Sequence, residues 1–115
     1  MTKARPQDRI PLEVSVKEAK SLLSSGEAYL IDCREQNEWD FCRLEGALLV
    51  PLSDFQSCAA SLPITDQTVI IYCHHGVRSL YAAEILRELG HRQVTSMRGG
   101  IDDWSLTLDP SVPRY

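Results

Sequence analysis

The segment IIYCHHGVRS, residues 70–79, combines residue types that can carry out nucleophilic chemistry. An apolar run ends at Cys73, and two histidines, a glycine and an arginine follow before a helical pattern begins. A thiol in this position lies close to backbone N–H groups and to the positive end of a helix dipole, and both favour an anion. Such surroundings lower a thiol pKa from about 8.5 to roughly 3.5–7.5, so Cys73 is predicted to be a nucleophilic thiolate.

The residues after Cys73 can assist such a thiolate in different ways. Gly76 permits a positive φ angle and a close approach of the backbone to the sulfur. Arg78 offers a planar, positively charged group to an anionic substrate or to the thiolate. We interpret His74 and His75 as polar lining that shapes substrate access rather than as general bases. A zinc site is disfavoured, because adjacent histidines rarely face one metal and no fourth ligand has suitable spacing.

The elements on either side of this loop form a strand–loop–helix unit. TVIIYC (68–73) is apolar and β-branched without alternation, which is typical of a strand covered on both faces, so we expect it to be central. Residues 79–89 predict a helix that ends at Gly90. One face of that helix is apolar and is expected to be buried: Ala82, Ile85, Leu86 and Leu89.

The rest of the chain continues the alternation of strands and helices. Strands are predicted at 28–33, 47–52 and 93–97, and a short helical turn at 36–41. Capping-box patterns, Ser15 with Glu18 and Ser53 with Gln56, predict two further helix starts, and GGIDDW (99–104) starts another helix. This order predicts an α/β fold with a parallel sheet and helices on both faces. Function in such folds concentrates at the carboxyl ends of the strands.

Length and charge limit the classes of function. The 115 residues predict one domain spanning 1–115, with a core of about 12–106 and mobile ends. The formal net charge of -4 and the absence of a basic stripe argue against partners such as nucleic acid or an anionic membrane. No apolar run approaches the length of a membrane span, and the polar start lacks a signal-peptide core, so we expect a cytoplasmic protein.

The four cysteines show no CxxC pair, which disfavours a disulfide framework or a zinc ribbon. Cys33 and Cys58 lie in the apolar surroundings YLIDC and SCAASL, and we interpret both as buried structural residues.

Four ordered motifs resemble the rhodanese family in its single-domain form: YLIDCRE (29–35), EGALLVPL (45–52), CHHGVRS (73–79) and RGGIDDW (98–104). The resemblance implies a five-stranded parallel sheet with helices on both faces. It also implies transfer of a sulfane sulfur through a persulfide on Cys73, without a cofactor. The donor would be a small molecule such as thiosulfate or a persulfide, and the acceptor a thiol or a cyanide-like nucleophile. A sulfur-carrying protein is a further candidate partner.

The resemblance also implies roles for other residues. The active loop would be His74, His75, Gly76, Val77, Arg78 and Ser79, whose backbone N–H groups would surround the terminal sulfur. Asp32 and Arg34 are either supports of this loop or a structural ion pair. The segment Cys42-Arg43-Leu44 replaces the Gly-His-Ile type segment of the family, and whether Cys42 acts as a resolving thiol stays open.

Two alternatives accompany this prediction. Cell-cycle phosphatases and arsenate reductases of similar fold place five residues between cysteine and arginine, whereas this chain has the four residues His74–Val77. The smaller ring suits one sulfur atom better than a tetrahedral oxyanion. The other alternative is a catalytically idle rhodanese-like module for binding or regulation. Idle modules typically lose the loop cysteine, which this chain keeps.

Overall fold

A parallel sheet organises the residues that our computed structural model describes, which are 10–62 and 66–115. Its strands are β1 (Glu13–Val14), β2 (Ala28–Asp32), β3 (Leu48–Leu49), β4 (Thr68–Tyr72) and β5 (Val94–Met97). They lie in the order β1-β5-β4-β2-β3, and every neighbouring pair is parallel. The predicted α/β fold is confirmed, and β4 is central as expected.

Alternate side chains of each strand enter two separate cores, because successive residues of a strand point to opposite faces. Ile31, Ile71 and Cys73 belong to one core. Leu30 and Ile70 belong to the other. This double burial explains why β2 and β4 are nearly continuous apolar runs.

Helices cover both faces of the sheet. They are α1 (Val16–Ser24), α2 (Gln36–Phe41), α3 (Phe55–Ala59), α4 (Val77–Glu88) and α5 (Gly100–Thr107). A 3-10 turn, Leu52–Asp54, precedes α3. Buried residues of α3 and α4 complete the first core, and those of α1 and α5 complete the second. Among the described residues, no helix has the length and apolar character needed to span a membrane.

The predicted capping boxes have different outcomes. At α1 the box forms, because the Glu18 N–H donates to Ser15 Oγ at 3.1 Å and the Ser15 N–H donates to Glu18 Oε1 at 2.8 Å. The box at Ser53 is wrong. The Ser53 hydroxyl donates instead to Glu35 Oε1 at 2.8 Å, and α3 begins after the 3-10 turn with no side-chain cap. The Ser53 hydroxyl thus donates to a distant carboxylate and does not accept from the Gln56 N–H as a capping residue would.

Three further expectations need correction. The predicted strand at 47–52 reduces to Leu48–Leu49, and the pattern gave no signal for the two-residue β1. Leu89 is exposed rather than buried, because α4 ends at Glu88 and the chain leaves the helix there. Cys58 is also exposed. It lies on the one-turn helix α3, whose contact with the core is made by Phe55.

The C-terminal residues 108–115 lie outside the helices and strands. Most of the N-terminal end that was predicted to be mobile, residues 1–9, lies outside the described residues. The C-terminal end follows α5 and its last residue, Tyr115, contacts the loop after β4, as described below. Mobility of either end stays a prediction.

Candidate active site

The loop that carries Cys73 lies at the carboxyl edge of the sheet, where hydrogen bonds from the start of α5 hold its backbone. β4 ends at Tyr72 and α4 begins at Val77, so Cys73–Gly76 form the connection. The carbonyl oxygens of Cys73 and His74 accept hydrogen bonds from the N–H groups of Ile101 and Asp102, at 2.9 and 3.1 Å. These carbonyls therefore point towards the start of α5.

Glycines make this close packing possible. Gly76 has a φ of 102°, and a Cβ there would lie 3.0 Å from the backbone nitrogen of Gly99. Gly100 has a φ of 63°, and a Cβ there would overlap the carbonyl oxygens of Cys73 and His74. The sequence motif RGGIDDW is thereby explained as the backbone support of the loop.

The Cys73 sulfur is buried among hydrogen-bond donors. The Gly76 N–H donates to Sγ at 3.1 Å and the Ser79 N–H at 3.4 Å. Ser79 Oγ lies 3.5 Å from Sγ and 2.7 Å from Ser96 Oγ. When the sulfur is a thiolate, the Ser79 hydroxyl can donate to it while accepting from the Ser96 hydroxyl. Cys73 itself is only 1% exposed.

These donors lower the pKa of Cys73 to about 5. The largest cause is a hydrogen bond from the Cys33 thiol, and the Ser79 hydroxyl and the N–H groups of Ser79 and Gly76 add to it. Burial opposes the shift, because it disfavours the charged form. At neutral pH the site therefore favours a thiolate at Cys73 and a protonated thiol at Cys33, whose pKa the neighbouring thiolate and burial both raise.

Arg78 is oriented by a carboxylate that the sequence analysis did not single out. Its two terminal nitrogens donate to Glu38 Oε1 and Oε2, at 2.7 and 2.9 Å. Arg78 lowers the pKa of Glu38 to about 2, opposed by partial burial. The guanidinium that we expected to face a substrate anion or the thiolate is therefore bound to α2 by a bidentate ion pair.

Asp32 and Arg34 form a fully buried ion pair, with Nη2 and Oδ2 2.7 Å apart. The same Nη2 donates to the carbonyl oxygen of Cys42 at 2.6 Å. Nη1 donates to the hydroxyl of Tyr115 at 2.9 Å. The pair thus joins the end of β2 to the segment after α2 and to the C-terminal end.

Tyr115 connects this pair with the active loop. Its hydroxyl donates to Glu38 Oε2 at 2.7 Å, and its ring stacks on His74 with centroids 3.8 Å apart. His74 also stacks on His75 at 3.9 Å. Arg34 can therefore support the loop through Tyr115, and its guanidinium also lies 5.6 Å from the ring centre of Tyr72, the residue before Cys73.

The two histidines lie near an acidic residue of α5. His75 Nε2 is 3.8 Å from Asp102 Oδ2, and ligand atoms of His74, His75 and Asp102 all lie within 4.8 Å of one another. Such atoms can in principle bind a metal ion. However, Arg114 already donates to both oxygens of Asp102, at 2.8 and 3.3 Å.

The remaining thiols occupy different places. Cys42 donates to the carbonyl oxygen of Pro113 at 3.5 Å and belongs to the second core, on the opposite face of the sheet from Cys73. Cys33 belongs to the same core as Cys73 and is fully buried. From the sequence, Cys33 was interpreted as a structural residue only. The predicted strands AYLIDC and TVIIYC both end in cysteine, and this shared ending could have indicated that the two thiols lie side by side.

Comparisons with known proteins agree on one family. A family model described as a rhodanese-like domain matches residues 15–107. A probable adenylyltransferase/sulfurtransferase, MoeZ of Mycobacterium tuberculosis, is 34% identical over 105 residues, covering 89% of this chain and 26% of the relative. The chain therefore spans only about a quarter of that protein.

A human sequence and a human solved structure each match over most of their length. Thiosulfate:glutathione sulfurtransferase is 30% identical over 104 residues, which cover 79% of this chain and 90% of the relative. The solved structure of the human single-domain sulfurtransferase TSTD1 matches with a TM-score of 0.79 and 28% identity, over 85% of this chain and 98% of that one.

Proposed function

The chain belongs to the rhodanese-like domain family, and on that premise we propose that it is a sulfurtransferase that carries a sulfane sulfur as a persulfide on Cys73. The donor is a small molecule such as thiosulfate or a low-molecular-weight persulfide. The acceptor is a thiol or a cyanide-like nucleophile. The observation that carries this proposal is the Cys73 sulfur itself, which receives hydrogen bonds from Gly76 and Ser79 at the carboxyl edge of the sheet.

In the first half of the reaction, the Cys73 thiolate attacks the outer sulfur of thiosulfate. A new S–S bond forms, the S–S bond of thiosulfate breaks, and sulfite leaves with the bonding electron pair. In the second half, the acceptor attacks the terminal sulfur of the persulfide. The S–S bond on Cys73 breaks, and the thiolate is regenerated. Each half-reaction is a displacement at sulfur, and no external oxidant or reductant is needed.

The residues around the sulfur have distinct tasks in this scheme. The Cys33 thiol and the Ser79 hydroxyl stabilise the thiolate, which is also the leaving group of the second half-reaction. A low thiol pKa makes that departure faster. The N–H groups of the loop from His74 to Ser79 would hold the charge of the terminal persulfide sulfur. Asp32 and Arg34 would act as positioning residues, through Tyr115 and its contact with His74.

The geometry also constrains the donor. The sulfur of Cys73 lies almost completely out of reach of solvent, so the reacting end of the donor must be narrow. A single sulfur atom at the end of thiosulfate or of a persulfide meets this requirement. Glu38 neutralises Arg78 beside the loop, so binding of the donor anion would depend on the loop N–H groups rather than on a free guanidinium.

The proposal is tested by steady-state turnover with a panel of donors, thiosulfate first, and with cyanide or glutathione as acceptor. Cys73→Ser should lose turnover with every donor, because its hydroxyl is not ionised near neutral pH. Cys58→Ser is the matched control and should retain turnover, because Cys58 is exposed on α3. Substantial turnover by Cys73→Ser would overturn the proposal. Hydrolysis of an aryl phosphate that requires Cys73 would favour the phosphatase alternative instead.

A further inference from the structure

The cysteines that directly follow β2 and β4, Cys33 and Cys73, lie side by side at the carboxyl edge of the sheet. The parallel pairing of the two strands runs from Ala28 with Thr68 to Asp32 with Tyr72, and the Cys33 N–H donates to the Tyr72 carbonyl at 3.0 Å. Cys33 and Cys73 are therefore the next two residues in register. Adjacent strands lie about 4.8 Å apart. Disulfides join residues whose Cα atoms are roughly 4.4–6.8 Å apart, so the backbone spacing is suitable.

The side chains of the two cysteines also point to the same side of the sheet. Both belong to the core that α3 and α4 cover, and both are fully buried, at 0% and 1% exposure. The Cys33 thiol is also near enough to the Cys73 sulfur to be the largest cause of the lowered pKa of Cys73. The proposed sulfur transfer needs Cys33 only as a hydrogen-bond donor, which a hydroxyl could also supply.

We infer that Cys33 is a resolving thiol, which captures a peroxide-oxidised Cys73 as an intramolecular Cys33–Cys73 disulfide. Hydrogen peroxide first oxidises the Cys73 thiolate to a sulfenic acid and, with one proton, is itself reduced to water. The Cys33 sulfur then attacks the Cys73 sulfur. An S–S bond forms, the S–O bond breaks, and the hydroxide leaves as water with the proton of Cys33. A dithiol reductant restores both thiols.

The protonation states of the two thiols determine the order of these two reaction steps. While Cys73 is a thiolate, its charge and hydrogen bond raise the pKa of Cys33, which is thus kept unreactive. Oxidation to the sulfenic acid removes that charge and with it the largest cause of the raised pKa. Cys33 therefore becomes a better nucleophile only after Cys73 has been oxidised. The disulfide prevents further oxidation to sulfinic acid, which is irreversible without a dedicated enzyme.

The experiment treats the fully reduced protein with a small excess of hydrogen peroxide and maps its cysteines by peptide mass spectrometry. Wild type should give a Cys33–Cys73 cross-link, and dithiothreitol should restore nearly all alkylation of Cys73 by iodoacetamide. Cys33→Ser retains a donor but cannot form the cross-link. In this variant, dimedone should therefore trap the sulfenic acid on Cys73. Without dimedone, most of its Cys73 should be oxidised to the sulfinic acid, which dithiothreitol does not reduce. Cys42→Ser is the matched control and should behave as wild type.

Two results would overturn the inference. One is a wild-type protein that proceeds to sulfinic acid at Cys73 without the cross-link. The other is a Cys33→Ser protein that recovers as completely as wild type. The peptide map of wild type decides the matter even if Cys33→Ser does not fold. Because no sulfur donor enters this assay, its outcome is independent of whether the protein transfers sulfur.

Discussion

Replacing Ser79 by alanine should raise the pKa of Cys73, because it removes one of the side-chain donors to the thiolate. Ser79 Oγ lies 3.5 Å from the sulfur, is fully buried, and is supported by Ser96 Oγ at 2.7 Å. The Ser79 N–H remains in the variant, as do the donors from Gly76 and Cys33. The variant therefore tests the hydroxyl alone.

The size of the effect follows from the strength of such bonds. A hydrogen bond to a charged group contributes about 1.5–3 kcal/mol, which corresponds to roughly one to two pKa units. Starting from about 5, the pKa of Cys73 in Ser79→Ala should lie between about 6 and 7. At pH 6 the thiolate fraction should then fall by about two- to ten-fold, whereas at pH 9 it should hardly change.

The assay is the rate of iodoacetamide alkylation of Cys73 as a function of pH, read by peptide mass spectrometry. Ser96→Ala is the matched control, because it removes the hydroxyl behind Ser79 and leaves the Ser79 donor in place. Its midpoint should shift less than that of Ser79→Ala. An unchanged midpoint in Ser79→Ala, or an equal shift in Ser96→Ala, would refute the account of how this thiolate is stabilised.

Two more predictions concern the support of the loop. Gly76→Ala should destabilise the protein more than Gly26→Ala, since both glycines have positive φ but only a Cβ at Gly76 would meet backbone, at 3.0 Å from the Gly99 nitrogen. Chemical denaturation of both variants measures the difference, and equal losses would mean that the packing against Gly99 is unimportant. Glu38→Gln tests the ion pair with Arg78. The pKa of Glu38 is lowered from 4.5 to about 2 in the folded state. The ionised Glu38 side chain should therefore contribute fully to stability above about pH 4.5, and this contribution should be lost as the pH falls towards 2. Urea denaturation of wild type and Glu38→Gln across this range should show the gap closing at low pH, and a gap independent of pH would contradict the assignment.

The strand–loop–helix unit around Cys73 could be predicted because its signals are local. The apolar run TVIIYC, the glycine at 76 and the start of a helix follow one another directly in the sequence. The parallel sheet followed from the alternation of strands and helices. The two-residue strand β1 could not be predicted in the same way, because so short a segment has no periodicity.

The partners of the loop residues were harder to predict, because they are distant in the sequence. Glu38 lies 40 residues from Arg78, and Tyr115 lies 81 residues from Arg34. A charge pattern shows that Arg78 is available but not which carboxylate it binds. From the sequence, the low pKa of Cys73 was therefore expected to come from the loop N–H groups, the helix dipole and Arg78. In the structure, Cys33 and Ser79 replace Arg78 among the largest causes of that shift.

The false capping box at Ser53 has the same origin. Ser53 and Gln56 have the residue types and the spacing of a capping box. However, the Ser53 hydroxyl donates to Glu35, which is 18 residues away in the sequence and close to Ser53 only in the folded protein. The exposure of Cys58 likewise depends on how far α3 extends before the chain turns, and residue types alone did not indicate this.

The central claim is that Cys73 carries the transferred sulfur, and intact-protein mass spectrometry after incubation with thiosulfate tests it most directly. Wild type should gain the mass of one sulfur atom, peptide mapping should place that atom on Cys73, and cyanide should remove it. Cys73→Ser should gain nothing under the same conditions. An equal gain by Cys73→Ser, or a wild-type protein that gains no sulfur from thiosulfate or from any other small donor, would contradict the account.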